Sequence, residues 1–191
     1  MSLVERAFCR SAGWSAFTRT RVLPWALQGV RPAGRVLEIG AGSAAMAAAM
    51  VETHPDITLT VTDYDPSMVG AARRRLRDFE QVNVRQADAT DLPFDDDTFD
   101  TVVSFIMLHH VGAWELALAE AVRVLRSGGT LVGYDLLASW PAKTIHQLEG
   151  AEHRLIVLSD LRSTFSDLPV TDVTVRRGLG GIVARFHART R

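Results

Sequence analysis

Val36-Leu-Glu-Ile-Gly-Ala-Gly-Ser-Ala44 carries a short apolar run into a Gly-x-Gly turn and then into the alanine-rich stretch 44–51. Alanine is the best helix former, so the order reads strand, tight turn, helix. Glycines at such a turn let a ligand approach the backbone beside a helix N-terminus, where N–H groups point outward. Asp63 closes the next β-branched run, 57–63. An acid there can accept hydrogen bonds from both hydroxyls of a ribose. The glycines alone leave the nucleoside open. Gly40, Gly42 and Ala45 fit a dinucleotide pattern with alanine in its last place, while Gly40, Gly42 and Ala44 fit Gly-x-Gly-x-Gly with its last glycine replaced. Glu38 helps to decide: a carboxylate just before the turn repels a pyrophosphate but suits a ligand carrying an amino group and a sulfonium.

Outward from this stretch, strands and helices alternate. Residues 66–78 read as a helix with a basic face at Arg73, Arg74, Arg75 and Arg77, and 82–87 as a third strand. Residues 99–107 form a fourth strand, 113–126 a helix stopped by Gly128 and Gly129, and 130–137 a fifth strand. Alternation of this kind predicts a parallel sheet covered on both faces, with right-handed crossovers. Residues 142–161 are expected to be helical; 170–177 and 182–189 then form a hairpin through Gly178-Leu-Gly-Gly181. Residues 1–31 read as helical pieces, with Pro24 starting or breaking one of them.

The chain of 191 residues supports one domain. Its formal net charge of −1 gives no global field for gripping a phosphate backbone, so broad nucleic-acid binding is not expected. Cys9 is the single cysteine, no Cys/His spacing reads as a metal site, and no targeting segment or membrane span of about 20 apolar residues is visible. The expected setting is the cytoplasm.

Further motifs make the whole resemble the class I S-adenosylmethionine-dependent methyltransferases. Glu38-Ile-Gly-Ala-Gly-Ser43 is similar to their first motif, and Thr62-Asp-Tyr-Asp-Pro-Ser-Met68 to their second-strand motif. Ala87-Asp-Ala-Thr-Asp-Leu-Pro-Phe94 resembles their adenine motif, and the segment from Phe99 to His110 their fourth strand, whose end lies near the transferred methyl. Arg123-Val-Leu-Arg-Ser-Gly-Gly129 matches the turn into strand five, with Ser127 where proline is usual. The resemblance covers about residues 34–137 and is closest to the small-molecule branch that includes quinone C-methyltransferases.

The resemblance implies a Rossmann-like, doubly wound α/β fold: a seven-stranded, mostly parallel sheet ending in an antiparallel hairpin strand. The expected single domain, 1–191, divides into an N-terminal helical lid (1–31), a cofactor-binding core (32–137) and a C-terminal helix and hairpin (138–191). The implied cofactor is S-adenosyl-L-methionine, held by Glu38, Gly40, Ala41, Gly42, Asp63, Tyr64, Asp88, Ala89 and Ser104, with no metal. Within that set Asp63 would bind the ribose, Tyr64 would stand beside the adenine, and Asp88 and Ala89 would read its edge. Ala44 replaces the family's last glycine, a change that costs little if the position has helical dihedrals.

Methyl transfer is an in-line displacement from a sulfonium, to which an enzyme contributes alignment and exclusion of water. A base is needed only where the acceptor loses a proton, and His109 and His110, where strand four ends, are the catalytic candidates. His146 and His153 rank below them, and Tyr134 and Asp135 are candidate pocket residues. Trp14, Phe17 and Trp25 suggest a lid over an apolar acceptor pocket. The expected acceptor is a small or lipid-like molecule, and the expected state a monomer or homodimer without nucleic acid.

Each assignment has a plainer structural rival. Glu38 could cap a turn, Asp65 cap the helix from Pro66, and Asp88 sit in a solvated loop. Asp95, Asp96 and Asp97 read as a solvated turn. Arg185, His187 and Arg189 share one strand face and suit an edge protected against aggregation. Two other functions remain open: a nicotinamide-dependent oxidoreductase, on Gly40, Gly42 and Ala45, and a non-catalytic S-adenosylmethionine-binding partner subunit, on the short acceptor region.

Overall fold

Alternation of β-branched and helix-forming segments produces seven strands in one sheet, ordered β3-β2-β1-β4-β5-β7-β6. The computed structural model describes residues 16–138 and 154–191. A π-helical turn, Thr18–Val22, leads into α1 (Leu23–Leu27), followed by β1 (Arg35–Ile39), α2 (Ala45–Thr53), β2 (Thr58–Asp63), α3 (Pro66–Leu76) and β3 (Val82–Gln86). Then come β4 (Phe99–Phe105), α4 (Trp114–Arg123), β5 (Leu125–Leu136), α5 (Leu158–Asp167), β6 (Val170–Gly178) and β7 (Val183–Thr190). Neighbouring strands from β3 to β5 pair in parallel; β7 runs antiparallel to both β5 and β6.

Over the inner parallel strands β1, β2, β4 and β5 both sheet faces are largely apolar, as a parallel sheet requires. Leu37, Ile39, Val102 and Leu131 pack beneath α4 and α5, where Trp114, Ala117, Leu118, Ala121 and Val122 repeat at helical spacing. Val36, Leu59, Val61, Val103 and Val132 pack on the other face beneath α1, α2 and α3. The Asp65 carboxylate caps α3 by accepting from Ser67 N at 2.7 Å, and Pro66 sits in its first turn, so the plainer reading of Asp65 holds.

Four expectations need correction. Helix α4 ends at Arg123 instead of 126, because the chain already pairs with β4 at Leu125, opposite Phe99. The segment Arg126-Ser-Gly-Gly129 then bulges out, with Gly128 at φ +73°, before pairing resumes at Thr130. The helix expected over 142–161 lies mostly outside the described residues, and the one observed runs to Asp167. Ala44 does not have helical dihedrals: it caps α2 at φ 61°, ψ 38°, a conformation that disfavours a Cβ. Finally, β7 is an inner strand and β6 the edge, so edge protection does not explain Arg185, His187 and Arg189.

Candidate functional site

The turn after β1 is built on glycine for two reasons. Gly40 has φ +65°, and a Cβ there would lie 2.6 Å from Met107 Cγ. Gly42 has φ +55° and faces open space. Ala41 N donates to Thr62 O at 3.0 Å, tying the turn to β2. The Asp63 carboxylate accepts from Gly42 N at 2.7 Å through Oδ2 and from Asp65 N at 2.9 Å through Oδ1. Asp63 therefore staples the loops after β1 and β2 together. Each of its oxygens keeps a lone pair for an incoming hydroxyl. This structural task was not legible from spacing alone.

Glu38 alternates onto the face of Val36, opposite Val103 of β4, and is 1% exposed. Its Oε2 is buried without a hydrogen-bond partner. Burial, reinforced by the nearby Asp63 charge, pushes its carboxyl up to about 8. A buried acid that makes no such bond costs stability unless a ligand supplies the missing donor. The turn-cap reading of Glu38 fails, since a cap would be hydrogen-bonded. A ligand bearing an ammonium group and ribose hydroxyls fits this pair of acids, because its positive charge favours the ionised form of Glu38; a pyrophosphate would add negative charge beside Asp63.

The region expected to meet the adenine is more open. Tyr64 is 71% exposed beyond β2, and its carbonyl accepts from Gln86 Nε2 at 3.0 Å. Asp88 turns Oδ1 onto Thr90 N at 2.8 Å and Thr90 Oγ1 at 2.7 Å, which leaves its other oxygen for a ligand. Ala89 is buried beside it.

At the end of β4 the sequence candidates separate. Ser104 lies on the opposite sheet face from Glu38, paired with Ile39, and its buried Oγ has no partner. His109 is buried in the short turn Leu108–His110, its Nδ1 2.6 Å from Asp135 Oδ1. Asp135, fully buried, also accepts from Met107 N, Leu108 N and Leu136 N at 2.7–2.8 Å. The carboxylate is thus a four-donor clamp on the turn between β4 and α4. His110 is exposed, with its ring 4.0 Å from that of His109. Ile106, between β4 and this turn, adopts φ +52° with 40% of its surface exposed, a conformation that a β-branched residue rarely takes. An acid inside the apolar run 130–137 signalled Asp135; nothing in the sequence signalled Ile106.

On the Glu38 face, Tyr134 packs edge-on to Trp25 at 4.9 Å and against Phe105 at 5.7 Å. Burial first, then the charges of Asp135 and Glu38, push its phenol up to about 12. Of the aromatics expected in a lid, Trp25 sits in this cluster, Phe17 is exposed, and Trp14 lies outside the described residues, as do Cys9, His146 and His153. Asp96 takes Arg123 Nη1 at 2.7 Å within the otherwise solvated acidic turn. Among the described residues no cluster of His, Cys, Asp or Glu could hold a metal ion, and no helix is long and apolar enough to cross a membrane.

Residues 37–133 match the family model described as a methyltransferase domain. A demethylmenaquinone methyltransferase of Clavibacter sepedonicus is 35% identical over 119 residues, 62% of this chain and 45% of that protein. A malonyl-[acyl-carrier protein] O-methyltransferase of Geobacter sulfurreducens is 37% identical, over 53% of this chain and 38% of its own. The chain thus spans less than half the length of these relatives. Among solved structures, a protein of Pyrococcus horikoshii superposes with TM-score 0.78 at 16% identity over 100% of both chains. A SAM-dependent methyltransferase of Thermotoga maritima, possibly a histamine N-methyltransferase, gives 0.75 at 22% identity, over 98% of this chain and 95% of that one. The fold is the Rossmann-like sheet shared by such structures. With the family match running from β1 into β5, through Glu38, the glycine turn and Asp63 up to Gly133, the chain belongs to the methyltransferase domain family.

Proposed function

We propose that this protein transfers a methyl group from S-adenosyl-L-methionine to a small or lipid-like acceptor. The observation that carries this reading is Glu38: a fully buried carboxyl with an unpartnered oxygen, held beside Asp63 at a turn that glycine keeps open. When bound, the cofactor supplies an electrophilic methyl on a sulfonium. Glu38 and Asp63 complement its positive charge and hydroxyls, Asp88 and Ala89 border the adenine, and Gly40 to Gly42 provide the backbone approach. A nicotinamide dinucleotide is disfavoured, because its pyrophosphate would meet both acids at the turn.

The acceptor side draws on Phe105, Tyr134 and Trp25, whose rings line the face of the sheet that carries Glu38. The names of the relatives span carbon and oxygen methylation, on quinone precursors and on a carrier-bound malonyl group. An apolar or carrier-bound acceptor for this chain fits those names. The role of residues 1–31 as a lid belongs to the same proposal, as do a cytoplasmic location and a monomeric or dimeric state. Where an acceptor must lose a proton, His110 is the base, since it is exposed; His109, clamped by Asp135, positions the turn.

The test is a thermal-shift comparison of S-adenosylmethionine, S-adenosylhomocysteine and NAD(H), with competition between them. A ligand at a hundred times its dissociation constant adds about 2.7 kcal/mol, a rise of roughly 5–10 °C. Stabilisation by the two adenosyl ligands, undiminished by NAD(H), is the expected result. Stabilisation by NAD(H) and by neither adenosyl ligand would overturn the reading. Cofactor binding without turnover on any acceptor in a broad screen would favour the partner-subunit alternative.

A further inference from the structure

The face of β7 turned away from α5 is charged along its length. Ala184, Phe186 and Ala188 are fully buried on the α5 side, while Arg185, His187 and Arg189 alternate onto the other. An inner strand of a doubly wound sheet is ordinarily apolar on both faces. Here α1 covers only part of the charged face, through Trp25, whose ring lies 5.0 Å beneath the Arg185 guanidinium. The remainder is a groove of ≈ 1060 Å³ whose lining, among the described residues, includes Arg31, Arg176, Arg185, His187 and Arg189, with Asp172 as its one acid.

Two details mark this groove as built for an anion. Arg176 of β6 lies directly opposite Arg185 of β7, and like charges facing one another across a strand pair cost stability unless a counter-charge sits between them. None of the four arginines has a carboxylate partner among the described residues, and Arg185 Nε is buried without any partner. His187 is held neutral more firmly than usual by burial and by Arg189, so the arginines alone supply the positive charge. Arg185 and Arg189 stand four residues apart on one strand, about 13 Å, more than a single phosphate bridges.

We propose that this groove binds a small molecule carrying more than one phosphate group, with one phosphate seated between Arg176 and Arg185 and the other toward Arg189 and Arg31. Guanidinium forks match phosphate oxygens two at a time, which a diffuse positive surface does not require. The site is separate from the glycine turn, so its ligand and the methyl donor bind together.

The test is titration calorimetry with inorganic phosphate, pyrophosphate, a sugar bisphosphate and a single-stranded oligonucleotide, each with and without saturating S-adenosylhomocysteine. Pyrophosphate should bind more tightly than phosphate, and its affinity should fall with salt and be unchanged by S-adenosylhomocysteine. Binding by the sugar bisphosphate at equal or greater strength identifies an organic ester as the source; preference for pyrophosphate identifies the free anion. The double variant Arg176→Gln/Arg189→Gln should weaken pyrophosphate tenfold or more, while Arg73→Gln/Arg74→Gln, on the outer face of α3, should not. Removing like charges should leave the ligand-free melting temperature of the groove variant unchanged or higher. Absence of pyrophosphate binding, equal weakening in both variants, or a groove variant that loses binding and thermal stability together would overturn the proposal. So would an oligonucleotide that binds far more tightly than pyrophosphate, which would make the face a nucleic-acid surface.

Discussion

Glu38 makes the protein's stability depend on pH in an unusual direction. Its carboxyl ionises near 4.5 in the unfolded chain and is pushed up to about 8 in the fold. Between these values the folded state holds a proton that the unfolded state has released, so stability falls as pH rises from 4.5 toward 8. Urea melts from pH 5 to 9 should show this decline, and Glu38→Gln should remove it and be the more stable protein at pH 8, by roughly 2–4 kcal/mol. A wild-type profile without that decline would place a donor beside Oε2. Asp63→Ala should weaken S-adenosylhomocysteine by about 2 kcal/mol in calorimetry, since ribose hydroxyls lose their acceptor, and should also loosen the turn through Gly42 N and Asp65 N. Ile106→Gly should raise stability by about 0.5–1 kcal/mol, because the left-handed conformation is relieved and a half-exposed side chain gives up little burial. Unchanged or lower stability in a thermal melt would mean that the Ile106 side chain contributes packing that its exposure hides.

At the scale of elements, close approach governs the centre of the sheet. A Cβ added to Gly133 of β5 would lie 2.2 Å from Ser104 O of β4 and 2.7 Å from the Phe186 ring of β7. Two strands would have to separate, so Gly133→Ala should cost about 3 kcal/mol or more, readable as a lower urea midpoint. The strands themselves were legible, because β-branched runs and glycine punctuation act locally. The end of α4 was not. Leu125 continues a good helical pattern, and only the partner strand, arriving at Phe99, pulls it into the sheet. Ala44 likewise read as the first residue of a helix, whereas the turn before it closes through Ala44 N to Ala41 O and leaves the residue left-handed. In the candidate site, identities and order were visible in sequence. What was invisible is who bonds to whom: Asp63 spanning two loops, Asp135 gathering four donors, Oε2 of Glu38 left over.

For the molecule as a whole, the N-terminal segment has two tasks that deletion can separate. Leu23, Ala26 and Leu27 are buried against the sheet, so removing residues 1–30 should lower the melting temperature by roughly 10 °C or more. Removing 1–15 alone leaves those residues in place, and on the lid proposal it should reduce turnover. Equal turnover after the shorter deletion would confine any lid to residues 16–31. The charged face of β7 likewise became interpretable only at this scale, because the strand's rank within the sheet is a property of topology. A sequence displays the alternation but not which neighbours arrive on either side.

The insertion of β7 between β5 and β6 also sets a timetable. While a ribosome makes this chain from its N-terminus, β5 emerges with one edge unpaired and stays so until residues 183–190 have cleared the exit tunnel. During that interval β6 has no strand partner, since its single pairing is with β7, the strand made after it. The nascent chain therefore passes through a stage with an open parallel sheet and a stray strand, the state in which edge-to-edge association is easiest. A holdase or a slow-translating stretch acting just before residue 183 would change yield without altering the finished enzyme at all.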